Sequence, residues 1–404
     1  MPEAVPTPAR FPARTERLLA DPASRAWALH GRALAERRAG REVLLLSVGD
    51  PDFDTPASIV AAAQRALRAG RTHYPPIAGE AELRQAIADH QAALAGVPCS
   101  AEQVQVFAGG QNALFMILHA LTAEGDEVLA GDPYYATYPG VVAASGARLR
   151  CVDTAATGWR LTAEGLAAAL TPSTRVVLLN TPGNPCGTAI AEAEMARIVA
   201  LCRRHGLWLV ADEVYADLRF EGAHVSAWSH AHEHDRIVVV GSASKRFAMT
   251  GWRLGWCVAP EDLILRLKAL ATAGLFGTPP FLQDALTAAL REPPPEAASM
   301  RETYRRRART VLAALAEAGL AGVPPDGGMF VAIDLRPNGL DGTALAERLL
   351  QDEGVAVMPG IAFGQSLAQG LRLSLVADEV RLASACRAIA RTAERLSAES
   401  RPRG

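Results

Sequence analysis

The feature that most constrains this chain is a series of short, apolar, β-branched runs, each followed by a segment with helical spacing. Arg175 to Asn180, Leu207 to Ala211 and Ile237 to Val240 read as buried apolar strands, the pattern of a sheet covered by helices on both sides, and Val104 to Phe107 as a further strand. Ala113 to Leu121, Leu161 to Leu170 and Glu192 to His205 supply helices between them. Further strands are expected at Val43 to Val48, Glu127 to Ala130, Arg148 to Val152 and Leu254 to Val258. Helices are expected at Ala26 to Arg38, with Trp27, Leu29 and Leu34 buried, at Ser58 to Arg68, and at Glu80 to Leu94. Residues 1–14 read as a loose arm. Alternation of this kind predicts an α/β fold with a mainly parallel sheet, because parallel neighbours need a crossover that a helix provides. Glu261 to Leu270 and Phe281 to Leu290 also read as helices, and the pattern breaks at Glu292-Pro-Pro-Pro295. Beyond that lie a long helix over Ala297 to Ala318, strands at Gly328 to Leu335, Val355 to Met358 and Leu371 to Leu375, and helices at Thr343 to Glu353 and Asp378 to Leu396. The expected division is a large domain over 48–290 and a smaller α+β domain from 1–47 and 291–404.

Chemistry gathers where the strands end. The run Ile237 to Val240 leads into Gly241-Ser-Ala-Ser-Lys245, and Arg253 follows eight residues after the lysine. A lysine beside a dry cleft loses part of its basicity, which frees its amine to attack an aldehyde. Ser242, Ser244 and Arg253 offer hydroxyls and a guanidinium fork that suit a phosphate. Together they point to a phosphorylated aldehyde, of which pyridoxal phosphate is the obvious example. An isolated Ser-x-Ser-Lys is more often a solvated loop lysine, so the weight rests on the other strand ends. Ala108-Gly-Gly110-Gln111-Asn112 joins a strand to a helix, and its backbone N–H groups can cradle a phosphate, although an ordinary βα turn has the same look. Tyr134, Tyr135 and Tyr138 follow another strand, either as packing or as a ring face for a planar ligand. Asn184 lies just past Asn180, and Asp212 and Tyr215 just past Ala211, at the carboxyl edge where open α/β sheets place their sites. An Asp there can hold a protonated ring nitrogen. Gly49, at the head of a turn, can let a ligand carboxylate approach the backbone.

Composition narrows the class of partner. The chain has 404 residues, half of them hydrophobic, and a formal net charge of −2. Nothing in that balance favours nucleic acid or an anionic membrane, and no apolar run is long enough to span a bilayer. Six scattered cysteines with no C-x-x-C pair, and no apolar signal core near Met1, fit a cytoplasmic protein with reduced thiols. His230-Ala-His-Glu-His234 lacks the Cys or carboxylate spacing that would complete a metal site, so no metal is expected. Arg301 and the run Arg305-Arg-Arg-Ala-Arg309 read as a solvated helix face. His90 reads as a surface or packed histidine rather than a ligand. No G-x-G-x-x-G follows the early strands, which disfavours a nicotinamide dehydrogenase.

The set and order of these motifs resemble the class I/II aminotransferases, pyridoxal-phosphate enzymes of fold type I, over nearly the whole chain from Leu18 to Leu396. The resemblance implies a seven-stranded-type sheet in the large domain. It implies that Lys245 binds the cofactor and moves the proton at the substrate Cα, and that Asp212 partners the pyridinium nitrogen. Tyr215 and Asn184 would meet the ring hydroxyl, and Tyr135 would stack on the ring. Gly110, Gln111, Ser242, Ser244 and Arg253 would form the phosphate cup. Tyr74 resembles the tyrosine that reaches the phosphate of a neighbouring subunit, which implies a homodimer. Arg372 resembles the arginine that takes the substrate α-carboxylate, with Gly49 and Asn184 beside it. Cys186 departs from the family pattern, where Thr or Ser is commoner, and puts a thiol near the site.

Among these enzymes the stretches Arg41 to Pro56, Met249 to Trp256 and Pro325 to Phe330 read most like arginine–pyruvate aminotransferases. So do Ala26-Trp-Ala-Leu-His30 and Tyr304-Arg-Arg-Arg307. Aspartate and aromatic aminotransferases share several of them. The expected partners are an amino acid and a 2-oxo acid, with two half-reactions in ping-pong order. A cationic side chain would want a carboxylate at the far end of the cleft, and Asp21 is one candidate, although an N-cap before Pro22 is the simpler reading. A β-lyase or an arginine oxidase on the same fold would use the same Lys, Asp and Arg. A regulator fused to a DNA-binding domain is not expected, since no basic recognition helix precedes Val43.

Overall fold

A computed structural model of the chain describes Phe11 and residues 13–19, 23–232 and 235–399. Asp21 and Pro22, most of the expected arm, and His234 with its neighbour Glu233 lie outside the described residues. The first elements are α1 (Ala13–Leu19), α2 (Ala23–Arg38), β1 (Leu44–Leu45), α3 (Ala57–Arg68) and α4 (Ala81–Ala95). The alternation then runs β2 (Val104–Phe107), α5 (Gly110–Leu121), β3 (Glu127–Asp132), α6 (Tyr138–Ala144), β4 (Arg148–Asp153), α7 (Ala163–Ala169), β5 (Thr174–Asn180), α8 (Glu192–His205) and β6 (Trp208–Asp212). It continues with β7 (Ile237–Ser242), α9 (Ala243–Arg246), β8 (Gly255–Val258), α10 (Glu261–Gly274) and α11 (Pro280–Arg291). The remainder is α12 (Pro295–Glu317), β9 (Ala321–Gly322), β10 (Phe330–Asp334), α13 (Gly342–Glu353), β11 (Val355–Ala356), β12 (Met358–Pro359), β13 (Gly370–Ser374) and α14 (Glu379–Glu399).

The two-sided apolar runs do form one sheet of seven strands, in the order β2-β8-β7-β6-β5-β3-β4. All its neighbours are parallel except β8, which runs against both β2 and β7. Separate apolar clusters cover the two faces. One gathers α3, α4, α8 and α11 around Leu179, Leu209 and Val239. The other gathers α5, α6 and α10 around Val176, Val210 and Val240. In the central strands Asn180 pairs in register with Asp212, and Asp212 with Val240, so β5 and β6 stop at one level and β7 runs two residues further, to Ser242. That level is where the site forms.

The second sheet is antiparallel, in the order β12-β13-β10-β9, and β1 pairs in parallel with β11 beside it. A third apolar cluster joins Leu29, Ala33, Val43 and Leu46 to α12, α13 and α14, and also takes in Tyr215 and Leu218 below the first sheet. No helix among the described residues is long and apolar enough to cross a membrane.

The structure corrects several expectations. The strand expected over Val43 to Val48 is only Leu44–Leu45, because the next carbonyls are used elsewhere: Leu46 O accepts the Ser374 N–H, and Ser47 O accepts from Arg372. The strand expected over Val355 to Met358 breaks at Val357, one half pairing with β1 and the other with β13. The helix expected to begin at Ala113 begins at Gly110, which brings the paired glycines into its first turn. Trp27 is 41% exposed and Leu34 half-buried, so only Leu29 of that trio reaches the core.

The arginine run on α12 is not uniformly solvated. Arg307 is 6% exposed, and it donates to both carboxylate oxygens of Asp52 at 2.7 and 2.8 Å and to Leu375 O at 2.8 Å. Its guanidinium also lies over the Phe53 ring at 5.2 Å. It thereby ties the segment after Gly49 to the end of β13. Removing one partner of a buried pair strands the other charge. Asp52→Ala is therefore expected to lower stability by about 2–4 kcal/mol, read as a lower urea midpoint at an unchanged denaturant slope; an unchanged midpoint would show that Arg307 is solvated some other way.

Candidate active site

The three strand ends face a cleft of about 430 Å³. Its walls carry Gly49, Asp50, Gly110, Gln111, Tyr135, Asp212, Tyr215, Ser242, Ser244, Lys245 and Arg253. Lys245 stands on α9, one short turn that starts directly from β7. Ser242 starts that turn, its hydroxyl accepting the Ser244 N–H at 3.2 Å. The Lys245 Nζ donates to Gly49 O at 2.7 Å. Burial lowers its pKa to about 8, the nearby Arg372 and Arg253 cations push the same way, and Asp50 partly opposes them. A useful fraction of the amine is therefore neutral near pH 7–8.

Asp212 behaves in the opposite sense. It is buried, and desolvation raises its pKa to about 6, against a Tyr138 O–H that donates to Oδ2 at 2.8 Å and a long Val214 N–H contact of 3.4 Å. Tyr138 is fully buried. Its contact with Asp212 was not foreseen, although the residue stands in the tyrosine-rich stretch; a buried carboxylate needing a donor is the signal that could have found it. Asn180 is a second such residue. Its side chain donates to Asp212 O at 2.8 Å and accepts the Asn184 N–H at 2.7 Å, bracing two strand ends. Tyr135 lies edge-on to Tyr138, ring centres 5.6 Å apart.

Beside β7 the backbone is held too close for side chains. Gly109 has φ 89°, and a Cβ there would come within 2.6 Å of Arg253 Nη2. A Cβ on Gly255 would meet Gly109 C and Gly110 N at 2.5 Å. The Arg253 guanidinium, donating to Thr250 O at 2.9 Å and Ala108 O at 3.3 Å, is thus seated at the N-terminus of α5. Exposed N–H groups, a helix dipole, two hydroxyls and a guanidinium converge there, a donor set matched to a phosphate.

Arg372 is buried on β13. One Nη donates to Asn184 Oδ1 at 3.0 Å and the other to Ser47 O at 2.5 Å. Its guanidinium carbon lies 4.4 Å from the Phe330 ring centre and 4.8 Å from that of Phe363. Burial lowers its pKa to about 10, and its Nε has no partner. A buried guanidinium with a spare N–H suits a carboxylate. At Gly49 a Cβ would strike the Phe330 ring. His30, on α2, contacts the Ser47 hydroxyl at 2.8 Å, and its pKa is lowered by burial and by the Arg372 charge.

Tyr74 is not in the cleft. It is 83% exposed and meets exposed Phe276 edge-on at 5.0 Å. Cys186 lies buried in a cluster with Met358 and Phe363, and burial pushes its thiol pKa up, so it is unreactive there. His230 faces Glu192 at 3.1 Å, and no group of three metal-ligating side chains occurs among the described residues. His90 is half-buried against Arg246, 3.2 Å from its Nη1.

A half-buried lysine of lowered pKa, a buried carboxylate of raised pKa, a phosphate cradle and a carboxylate-seeking arginine define the class. The model of the family "aminotransferase class I and II" matches residues 41–389, and the chain belongs to that family. It is 47% identical over 389 residues, 96% of this chain and 99% of the relative, to the arginine–pyruvate transaminase AruH of Pseudomonas aeruginosa. It is 36% identical to the aspartate/prephenate aminotransferase of Thermus thermophilus, over 90% of this chain and 94% of that protein. The solved aspartate aminotransferase of Thermus thermophilus with maleate superposes with a TM-score of 0.88 at 35% identity, covering 95% of this chain and all of that one. Family members use pyridoxal phosphate and transfer the amino group in two half-reactions.

The Tyr138 hydroxyl favours the ionised form of Asp212. Tyr138→Phe removes that donor and is expected to raise the Asp212 pKa further from about 6 in the cofactor-free chain, read as a shift to higher pH of the Asp212 carboxyl titration by NMR. A titration that stays in place would show that Tyr138 is packing only.

Proposed function

We propose that this enzyme moves the α-amino group of L-arginine to pyruvate, with pyridoxal phosphate bound on Lys245. The observation that carries the transfer is Arg372, a buried guanidinium with an unpaired N–H beside a lysine of lowered pKa. The choice of arginine and pyruvate is supported by the full-length likeness to AruH. When bound, the cofactor supplies the aldehyde that takes up the amino group and the electron sink that acidifies the substrate Cα–H. The site fits it: Gly110, Gln111, Ser242, Ser244 and Arg253 would hold the phosphate, Asp212 the protonated ring nitrogen, and Tyr215 with Asn184 the ring hydroxyl. Tyr135 would cover the ring face. Lys245 Nζ accepts the proton from Cα, which its lowered pKa allows near neutral pH. Arg372 orients the substrate through its α-carboxylate, with Asn184 and Gly49 fixing the neighbouring backbone and amide.

The same reading divides the chain into a large domain over 48–290 and a small one from 1–47 and 291–404. It places the enzyme in the cytoplasm, on six free cysteines. It makes the enzyme a homodimer in which Tyr74, too exposed for a lone subunit to use, reaches the partner's phosphate cup.

The test is a titration of the purified yellow holoenzyme with single amino acids and no acceptor. Arginine is expected to bleach the visible band and pyruvate to restore it. Bleaching by another amino acid but not by arginine would keep the family and overturn the substrate. Lys245→Ala is expected to lower turnover by roughly 10³-fold or more; substantial residual transamination would remove Lys245 from its role.

A further inference from the structure

Arg372 is steadied by parts of the chain that the first sheet does not supply, and one side chain of that sheet reaches them. Phe363, whose ring flanks the guanidinium, ends the short turn Gly360–Phe363. Its carbonyl accepts the Tyr134 N–H at 2.8 Å. The next three residues close around the carboxylate of Asp132, the last residue of β3. Gln365 N–H donates to Oδ2 at 2.9 Å and Ser366 N–H to Oδ1 at 3.1 Å. Gly364 has φ 120°, and a Cβ there would lie 2.6 Å from the Asp132 Cγ. Asp132 is 7% exposed and pairs with no cation among the described residues.

A buried carboxylate without a counter-charge is costly, and two convergent backbone N–H groups are what offset it. The cost makes sense if the geometry is used. Past Asp132 the chain delivers Tyr135 into the cleft and Tyr138 onto Asp212. Behind its carboxylate, the 364–366 segment fixes Phe363 over Arg372.

We propose that Asp132 is a positioning residue that couples the substrate-carboxylate arginine to the cofactor side of the cleft, by clamping the 364–366 segment so that Phe363 holds the Arg372 guanidinium in place. The inference rests on the reading of Arg372 as the carboxylate site. An amide at position 132 has one acceptor oxygen and presents donors to the other N–H, so Asp132→Asn opens the clamp with little change in volume. Gly364→Ala opens it from the other side and leaves the carboxylate intact.

The test uses the holoenzyme of both variants, their double variant and Arg372→Lys. It reads kcat and KM for the amino donor, the dissociation constant of propionate (a carboxylate with no amino group), and deuterium exchange at the amides of Gln365 and Ser366. Each single variant is expected to raise KM and the propionate constant about tenfold, to change kcat less than about threefold, and to speed exchange at the two amides. The double variant is expected to be no worse than the weaker single variant, because both break one contact. If Asp132→Asn does not fold, the same shifts in Gly364→Ala carry the result. Additive losses, faster exchange with an unchanged propionate constant, or a fall in kcat at constant KM would overturn the coupling. If Arg372→Lys weakens propionate and the clamp variants do not, the coupling alone fails. If Arg372→Lys leaves propionate binding unchanged, the carboxylate reading fails and takes the coupling with it.

Discussion

The structure is organised around the burial of one guanidinium. Arg372 cannot be desolvated cheaply, and its hydrogen-bond partners come from outside its own strand. Its environment is assembled from four separate stretches: Ser47 before the first turn, Asn184 at the carboxyl edge of the large sheet, Phe330 on β10, and Phe363 in the loop before β13. Each contact constrains a neighbour. Ser47 gives its carbonyl to Arg372, which ends β1 early. Phe330 needs the space of a missing side chain at Gly49, and Gly49 O receives Lys245. Asn184 is held by Asn180, which also holds the end of β6. The two sheets meet at this residue because each supplies part of what its charge requires.

The same dryness tunes the two groups that flank the cleft floor, in opposite directions and for one reason. Burial disfavours charge, so it makes Lys245 a weaker base and Asp212 a weaker acid. Neighbours then set how far each goes. Lys245 is pushed further by Arg372 and Arg253, whereas Asp212 is pulled back by the Tyr138 hydroxyl. The lysine ends near its working range and the carboxylate remains ionised at neutral pH. Acid–base pairs whose environments separate their roles in this way are typical of enzymes that move protons.

How much of this was legible in the sequence depended on whether a residue's role is local. The large sheet was legible because two-sided apolar runs have few other uses, and Lys245, Asp212 and Asn184 follow from their places just past strand ends. The helix start at Gly110 was less so, since the reason for Gly109 is its φ of 89° and its closeness to Arg253, which comes from a distant stretch of the chain. Arg307 was misread because a run of arginines on a helix normally faces water; its burial depends on Asp52, 255 positions away. Tyr138 was hidden among neighbouring tyrosines, and its partner is 74 positions distant. The break at Val357 could not be read from an unbroken apolar run, because it is set by which sheet each half joins. Residues with long-range partners carry no periodic signal.

The chain places three cationic and two acidic side chains around the site. Lys245, Arg253 and Arg372 stand against Asp50 and Asp212, and Asp50 is already engaged by the Thr250 hydroxyl at 2.7 Å. Arg372 is buried, Lys245 half-buried and Arg253 exposed, and Arg372 keeps an unpaired N–H. A phosphate at the α5 terminus and a carboxylate at Arg372 would reverse that sign at two fixed points, one on each sheet. Ligands carrying those groups would then stabilise the folded chain by mass action. They would also bridge the sheets across the cleft, with Lys245 between them. Two cationic stations on either side of one amine suit a ligand or ligand pair that carries two anionic groups.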